Sequence, residues 1–149
     1  HACVCTSGNL SRYQKKISGP ILDRIDIQIN VTREKYARLA SQEATPGPTP
    51  LQMRESIAKA REIQKKRFQE STILTNSEMG PKEITRYCNL TSDAEQLTGS
   101  IVTGYHLSGR GYHKLLKLSR TIADLNQSDD ITTAHVAEAA SYRIQQETI

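Results

Sequence analysis

Gly109-Arg-Gly-Tyr-His-Lys-Leu-Leu-Lys-Leu-Ser-Arg-Thr-Ile-Ala-Asp-Leu125 decides the fold class of this 149-residue chain. Tyr112, Leu115, Leu116, Ser119, Ile122 and Ala123 recur at helical spacing and face one way, the stripe of a helix laid on a core. On the other face Arg110, His113, Lys117 and Arg120 follow one another at i, i+3, i+7 and i+10. Potential cations in line near a helix start attract an anion, helped by the backbone N–H groups that the first turn leaves unbonded. The same pattern also fits a solvated basic face, or Arg120 paired with Asp124 one turn on.

Outward from this helix the chain continues to read as α. Thr132 caps a helix to about Gln146, with Ile131 and Val136 placed as a hydrophobic staple. Ser92-Asp93-Ala94-Glu95 matches a capping box and starts a helix to about Gly104. Pro81 suits the first position of a helix ending near Asn89. Pro50 to about Ser71 carries Glu55–Lys59 and Glu62–Lys66 pairs at i,i+4 and a patchy apolar stripe of Met53, Ile57, Ala60 and Phe68. Before it, SQEATPGPTP (residues 41–50) holds three of the five prolines and reads as a linker. Further upstream, Leu10–Ile17 predicts a short helix ended by Ser18-Gly19-Pro20, and Ile21 to Arg24 a helical turn. Ile25-Asp-Ile-Gln-Ile-Asn-Val31 alternates apolar and polar, the period of a half-buried strand. A lone strand needs partners beyond this chain, or sits at an edge. The expected architecture is therefore mainly α: a helical bundle over 51–149, a linker over 41–50, and a short helix with one strand over 1–40.

Composition narrows the class further. No apolar run approaches the roughly 20 residues that span a bilayer, which excludes a transmembrane protein. A first residue of His, with no Met and no signal segment, predicts a piece cut from a longer chain. Three cysteines form no disulfide framework, which predicts a reducing, intracellular home. Residues 1–80 hold 13 Lys+Arg against 8 Asp+Glu, whereas 81–149 hold 7 against 8, so the basic half suits a phosphate-bearing partner. Cys3 and Cys5 supply two of the four ligands that zinc wants, with no second pair in view. Cys88 reads as a small buried residue, and His1, His106, His113 and His135 share no ligand spacing. In Asp23-Arg24-Ile25-Asp26 the guanidinium suits phosphate oxygens, while the flanking carboxylates suit an ordinary ion pair. No G-x-x-x-x-G-K-[ST] and no G-x-G-x-x-G occurs, so the chain brings no phosphate cradle of its own.

Tyr13-Gln-Lys-Lys-Ile-Ser-Gly-Pro-Ile-Leu-Asp-Arg-Ile-Asp-Ile27 and Leu107-Ser-Gly-Arg-Gly-Tyr-His-Lys-Leu-Leu-Lys-Leu-Ser-Arg-Thr-Ile-Ala-Asp-Leu125 resemble the Mg-chelatase-like AAA+ ATPases of the ComM (YifB) family. Ala60-Arg61-x-Ile63-Gln64-x-x-Arg67-Phe68 and Ile131…His135…Glu138-Ala139…Tyr142-Arg143 fit the same pattern. The resemblance implies the C-terminal lid of an AAA+ module, with the Walker motifs upstream of this chain. It gives Arg24 the role of an arginine finger acting in trans and Arg110 that of a sensor-2 residue acting in cis. Arg120 is the second candidate for the sensor, in another register. An arginine finger contributes roughly 10³–10⁵ in rate to phosphoryl transfer. Cys3 and Cys5 resemble the second half of the family's cysteine-rich insertion.

The resemblance further implies ATP and Mg²⁺ as cofactors of the parent protein, with none held tightly by this stretch alone. It implies a ring, a hexamer by family habit, that remodels or translocates DNA in the cytoplasm as part of natural transformation. Alone, the stretch is expected to be inactive. Two other readings stay open. One is a stand-alone basic module that binds nucleic acid through Arg54, Arg61 and Lys65 and through Arg110 and Lys117. The other is the lid of a metal-chelatase-type remodelling subunit, since fold does not fix function.

Overall fold

From residue 50 onward each α-helix begins where a side chain takes up a backbone N–H. The computed structural model describes residues 5–14, 16, 21, 24–29, 31 and 47–143. Cys3, Ser18-Gly19-Pro20, Leu22, Asp23 and linker residues 41–46 lie outside the described residues, and the last helix, expected to reach about Gln146, ends at Ser141, with Tyr142 and Arg143 in a turn. The first helix, α1 (Ser7–Gln14), starts three residues earlier than the sequence predicts, and its expected end at Ile17 lies outside the described residues. α2 (Pro50–Arg67) opens on a reciprocal box, with Gln52 Oε1 accepting from the Thr49 N–H at 2.8 Å and Thr49 Oγ1 from the Gln52 N–H at 3.3 Å. A 3₁₀ turn over Asn76–Glu78 leads into α3 (Pro81–Tyr87), whose Glu83 reaches back to the Gly80 N–H at 2.9 Å. α4 (Ser92–Gly104) is capped by Thr91 rather than Ser92; the Thr91 hydroxyl accepts from the Ala94 N–H at 3.4 Å. α5 (Gly109–Leu125) has the predicted bounds, with the Ser108 hydroxyl accepting from the Gly111 N–H at 3.0 Å. α6 (Thr133–Ser141) starts where His135 Nδ1 accepts from the Thr132 N–H at 3.0 Å.

α5 is the centre of the bundle and packs against α2, the 3₁₀ turn, α3 and α6, while α4 closes on α6. Its stripe sits as the periodicity requires: Leu115, Leu116, Ser119, Ile122 and Ala123 are buried and Tyr112 half-buried. The Ile131–Val136 staple is wholly enclosed, both residues showing 0% exposure. A parallel bridge between Leu90 and Ile131 ties the entries of α4 and α6 together. Phe68 and Tyr87 meet edge to face at 5.5 Å and join the end of α2 to α3.

Two expectations need correction. The stripe on α2 is buried only from Ala60 onward; Met53 and Ile57 are 49% and 54% exposed, because no described element covers the first half of that helix. Residues 25–29 and 31 form no strand, and none occurs among the described residues. Alternation supplies a face but not a ladder, and no strand among the described residues completes one. Ile27, Ile29 and Val31 are accordingly exposed. The mainly helical class stands. No described helix is long and apolar enough to cross a membrane.

Candidate functional site

Met79 and Ile84, both buried, belong to the turn entering α3 and to α3 itself, and they lie beneath an open cleft of about 520 Å³. Gly109, Arg110, His113, Lys114 and Lys117 on the first half of α5, Pro81 on α3, and Arg24 from the upstream segment complete its lining. Arg110 is exposed, and His113, Lys114 and Lys117 are half-buried. No carboxylate is among the described residues that line it. The Lys117 ammonium donates to the Ser77 carbonyl at 2.9 Å, which fixes the 3₁₀ turn to α5. Cationic walls over an apolar floor, at a helix start, suit a ligand with a phosphate group and a flat or apolar body.

Arg24 is exposed, and its segment is docked on the lid. Lys114 donates to the Arg24 carbonyl and pairs with Asp26 at 2.6 Å. Arg143 donates to the carbonyls of Ile25 and Asp26 at 3.2 and 3.4 Å, and the Gln28 N–H to the Tyr142 carbonyl at 2.7 Å. Backbone groups that a strand would have given to a sheet are thus taken up in part by lid groups.

Arg120, the alternative sensor residue, is placed differently from Arg110. It is 1% exposed, with Nε 3.0 Å from Asp124 Oδ1 and its two terminal nitrogens donating to the carbonyls of Asp129 and Ser128. Asp124 also takes a bidentate pair from Arg67, at 2.7 and 2.5 Å, and a 2.7 Å bond from the Asn76 amide. Arg120 is thus held in a polar interior by Asp124 and the loop after α5, and it does not line the cleft. The i,i+4 pairing with Asp124 is the arrangement present.

Arg61 and Lys65 line a second, open groove of about 440 Å³ with Phe68, Ile73 and Leu74; Arg54 is exposed on α2 and borders neither hollow. Cys5 is exposed and Cys88 buried, where desolvation pushes its thiol up to about 11, so it stays protonated and inert. Among the described residues no group of three or more His, Cys, Asp or Glu is assembled for a metal. Reading the sequence alone misses Lys114 as a lining residue, and Arg67, Asn76 and Asp124 as one cluster. Lys114 was open to inference, since it falls one turn after Arg110.

The family of this helical domain comes from sequence comparison. Residues 48–143 match the family described as magnesium chelatase, subunit ChlI C-terminal, and residues 1–39 match magnesium chelatase, subunit ChlI. The chain belongs to the Mg-chelatase-like family that includes YifB and ComM. It is 38% identical over 140 residues to the uncharacterized protein YifB of Escherichia coli K12, a span of 93% of this chain and 26% of that protein. It is 39% identical over 134 residues to competence protein ComM of Haemophilus influenzae, covering 90% and 25% of the two chains. An uncharacterized Mycobacterium bovis protein is 30% identical over 141 residues, or 95% of this chain and 27% of the relative. The chain thus spans about a quarter of the length of the curated relatives it matches.

Proposed function

We propose that this chain is the lid portion of a ring-forming, ComM-like ATPase, and that Arg24 and Arg110 meet the phosphates of ATP·Mg²⁺ held by a Walker-type core outside the chain. One observation carries the reading: the finger and sensor candidates line a single cationic cleft at the start of α5. Phosphoryl transfer builds negative charge that positioned guanidinium groups stabilise. A finger in trans and a sensor in cis would serve separate nucleotides; residues sharing one cleft are better assigned to the same one. Arg120, committed to Asp124 and two carbonyls, takes no direct part. DNA as the substrate of the motor rests on the competence protein among the relatives and on Arg54, Arg61 and Lys65 along α2.

The test is turnover in the longer protein that carries this chain. Arg24→Ala and Arg110→Ala should each lower kcat by at least about a hundredfold, with nucleotide affinity within a few-fold of normal. Arg120→Met, corrected for the fraction folded, should keep its kcat. Normal turnover in Arg24→Ala would remove that residue from the mechanism.

A further inference from the structure

Residues 24–28 form neither helix nor strand, yet they are fastened to the lid at several points. Lys114 from the first half of α5 holds the Arg24 carbonyl and the Asp26 carboxylate, the latter at 2.6 Å. Arg143, just past α6, holds the carbonyls of Ile25 and Asp26. The Tyr142 carbonyl accepts from the Gln28 N–H at 2.7 Å. Each bond is modest at an exposed site, but they converge on four residues and come from α5 and the end of α6, which are themselves packed together. Ile25, Ile27 and Ile29 remain 41%, 50% and 71% exposed, so apolar burial is not what holds the segment in place.

We propose that Lys114, Asp26 and Arg143 form a latch that fixes the Arg24 segment to the lid, so that Arg24 and Arg110 approach a phosphate as one preorganised pair. This rests on the reading of those two arginines as phosphate ligands. The latch residues are positioning residues: Arg143 does not line the cleft, and Lys114 is engaged with Asp26 and the Arg24 carbonyl. A misplacement of about 1 Å is enough to slow an oriented reaction by up to about a hundredfold, so a loosened latch should be visible in kcat. It should leave nucleotide affinity nearly unchanged, since the core supplies most of that contact.

The signs separate this role from plain charge. If Lys114 served only as a phosphate-binding cation restrained by Asp26, Asp26→Ala would release it and raise activity; a latch predicts a fall. In the longer protein, Asp26→Ala and Arg143→Gln should each lower kcat on the order of tenfold, and Arg143→Lys should recover part of the loss. In an Arg24→Ala background neither should cost anything further, because a segment without its guanidinium has nothing to position; a mere folding defect would add in full. Independently of turnover, the Gln28 amide in this 149-residue chain should exchange with solvent at least about tenfold more slowly than an open coil, and lose that protection in Arg143→Gln. Open-coil exchange at Gln28, unchanged or increased turnover in Asp26→Ala, or equal losses in the two backgrounds would each overturn the latch. Normal turnover in Arg24→Ala would overturn the phosphate reading instead, and the positioning role with it.

Discussion

Asp124 is one carboxylate serving two guanidinium groups, and its loss should be felt at both. It has no exposed surface, and Arg67 and Arg120 reach it from different helices. Asp124→Asn keeps the volume but leaves two enclosed cations without a counter-charge, and should destabilise the chain by roughly 3–5 kcal/mol in a denaturant titration. Arg120→Met removes one cation and leaves the Arg67–Asp124 pair intact, so its cost should be smaller, about 1–3 kcal/mol, chiefly for the carbonyls of Ser128 and Asp129 left without donors. Equal losses would mean that the carboxylate is not the hub. His135 supplies a second prediction. Burial first, and then the nearby Arg120 charge, hold its imidazole below the ordinary value, and Nδ1 accepts from the Thr132 N–H. Protonation would turn that acceptor into a donor. With the unfolded imidazole titrating near about 6.5 and the folded one lower, the unfolded chain binds more protons between the two values. His135's contribution to stability is therefore complete above about pH 6.5 and is lost as pH falls through the folded value. His135→Gln preserves the box geometry without a titrating group, and should flatten that part of the stability curve as pH falls below about 6.5. An unchanged slope would assign the acid sensitivity to other groups.

Helix ends carry the next scale of prediction. Ser108 is both the cap of α5 and the residue before the cleft, so Ser108→Ala should cost about 1 kcal/mol by thermal unfolding, as N-cap losses do. A neutral result would mean that solvent serves the Gly111 N–H equally well. The bounds of α5 were legible in the sequence because stripe and length are local signals. Where signals were local but the deciding contact was distant, the reading slipped. Thr91 and Ser92 are adjacent hydroxyls and either can cap; the Thr91 backbone is held by the Ile131 carbonyl at 3.0 Å, a contact 40 residues away. Ile25 to Val31 has the alternation of a strand, but a ladder is a property of two segments. Arg120–Asp124 was visible as an i,i+4 pair, whereas Arg67, 57 residues from Asp124, was not. The same distinction holds at the site: Arg110, His113 and Lys117 share a helix and were found together, while their meeting with Arg24 needed the fold. On α2, if DNA is the partner, Arg61→Ala with Lys65→Ala should flatten the salt dependence of binding, reducing the log–log slope by about 2. A parallel line displaced to weaker affinity would place those side chains off the phosphates.

At the scale of the whole molecule, one cleft holding both arginines makes a claim about assembly that single variants do not reach. In the proposed ring every nucleotide lies at a head-to-tail interface, so each site draws groups from two subunits. If Arg24 came from the neighbour and Arg110 from the subunit that holds the nucleotide, the two defects would complement. Mixing Arg24→Ala subunits with Arg110→Ala subunits would rebuild intact sites wherever one of each met in the right order, about a quarter of interfaces by random assortment. If both arginines come from the same lid, as their common cleft and the docking of residues 24–28 favour, no arrangement of the two variants rebuilds a site. Mixed rings should then stay as inactive as either parent, while mixing each variant with wild-type subunits restores activity in proportion to the wild-type share. The measurement is ATP turnover after subunit exchange at equal total protein, with exchange verified by mass. Recovery to roughly a quarter of wild-type turnover in the variant mixture would separate the arginines onto two nucleotides, and the shared cleft would then be a feature of the lid at rest rather than of the working site.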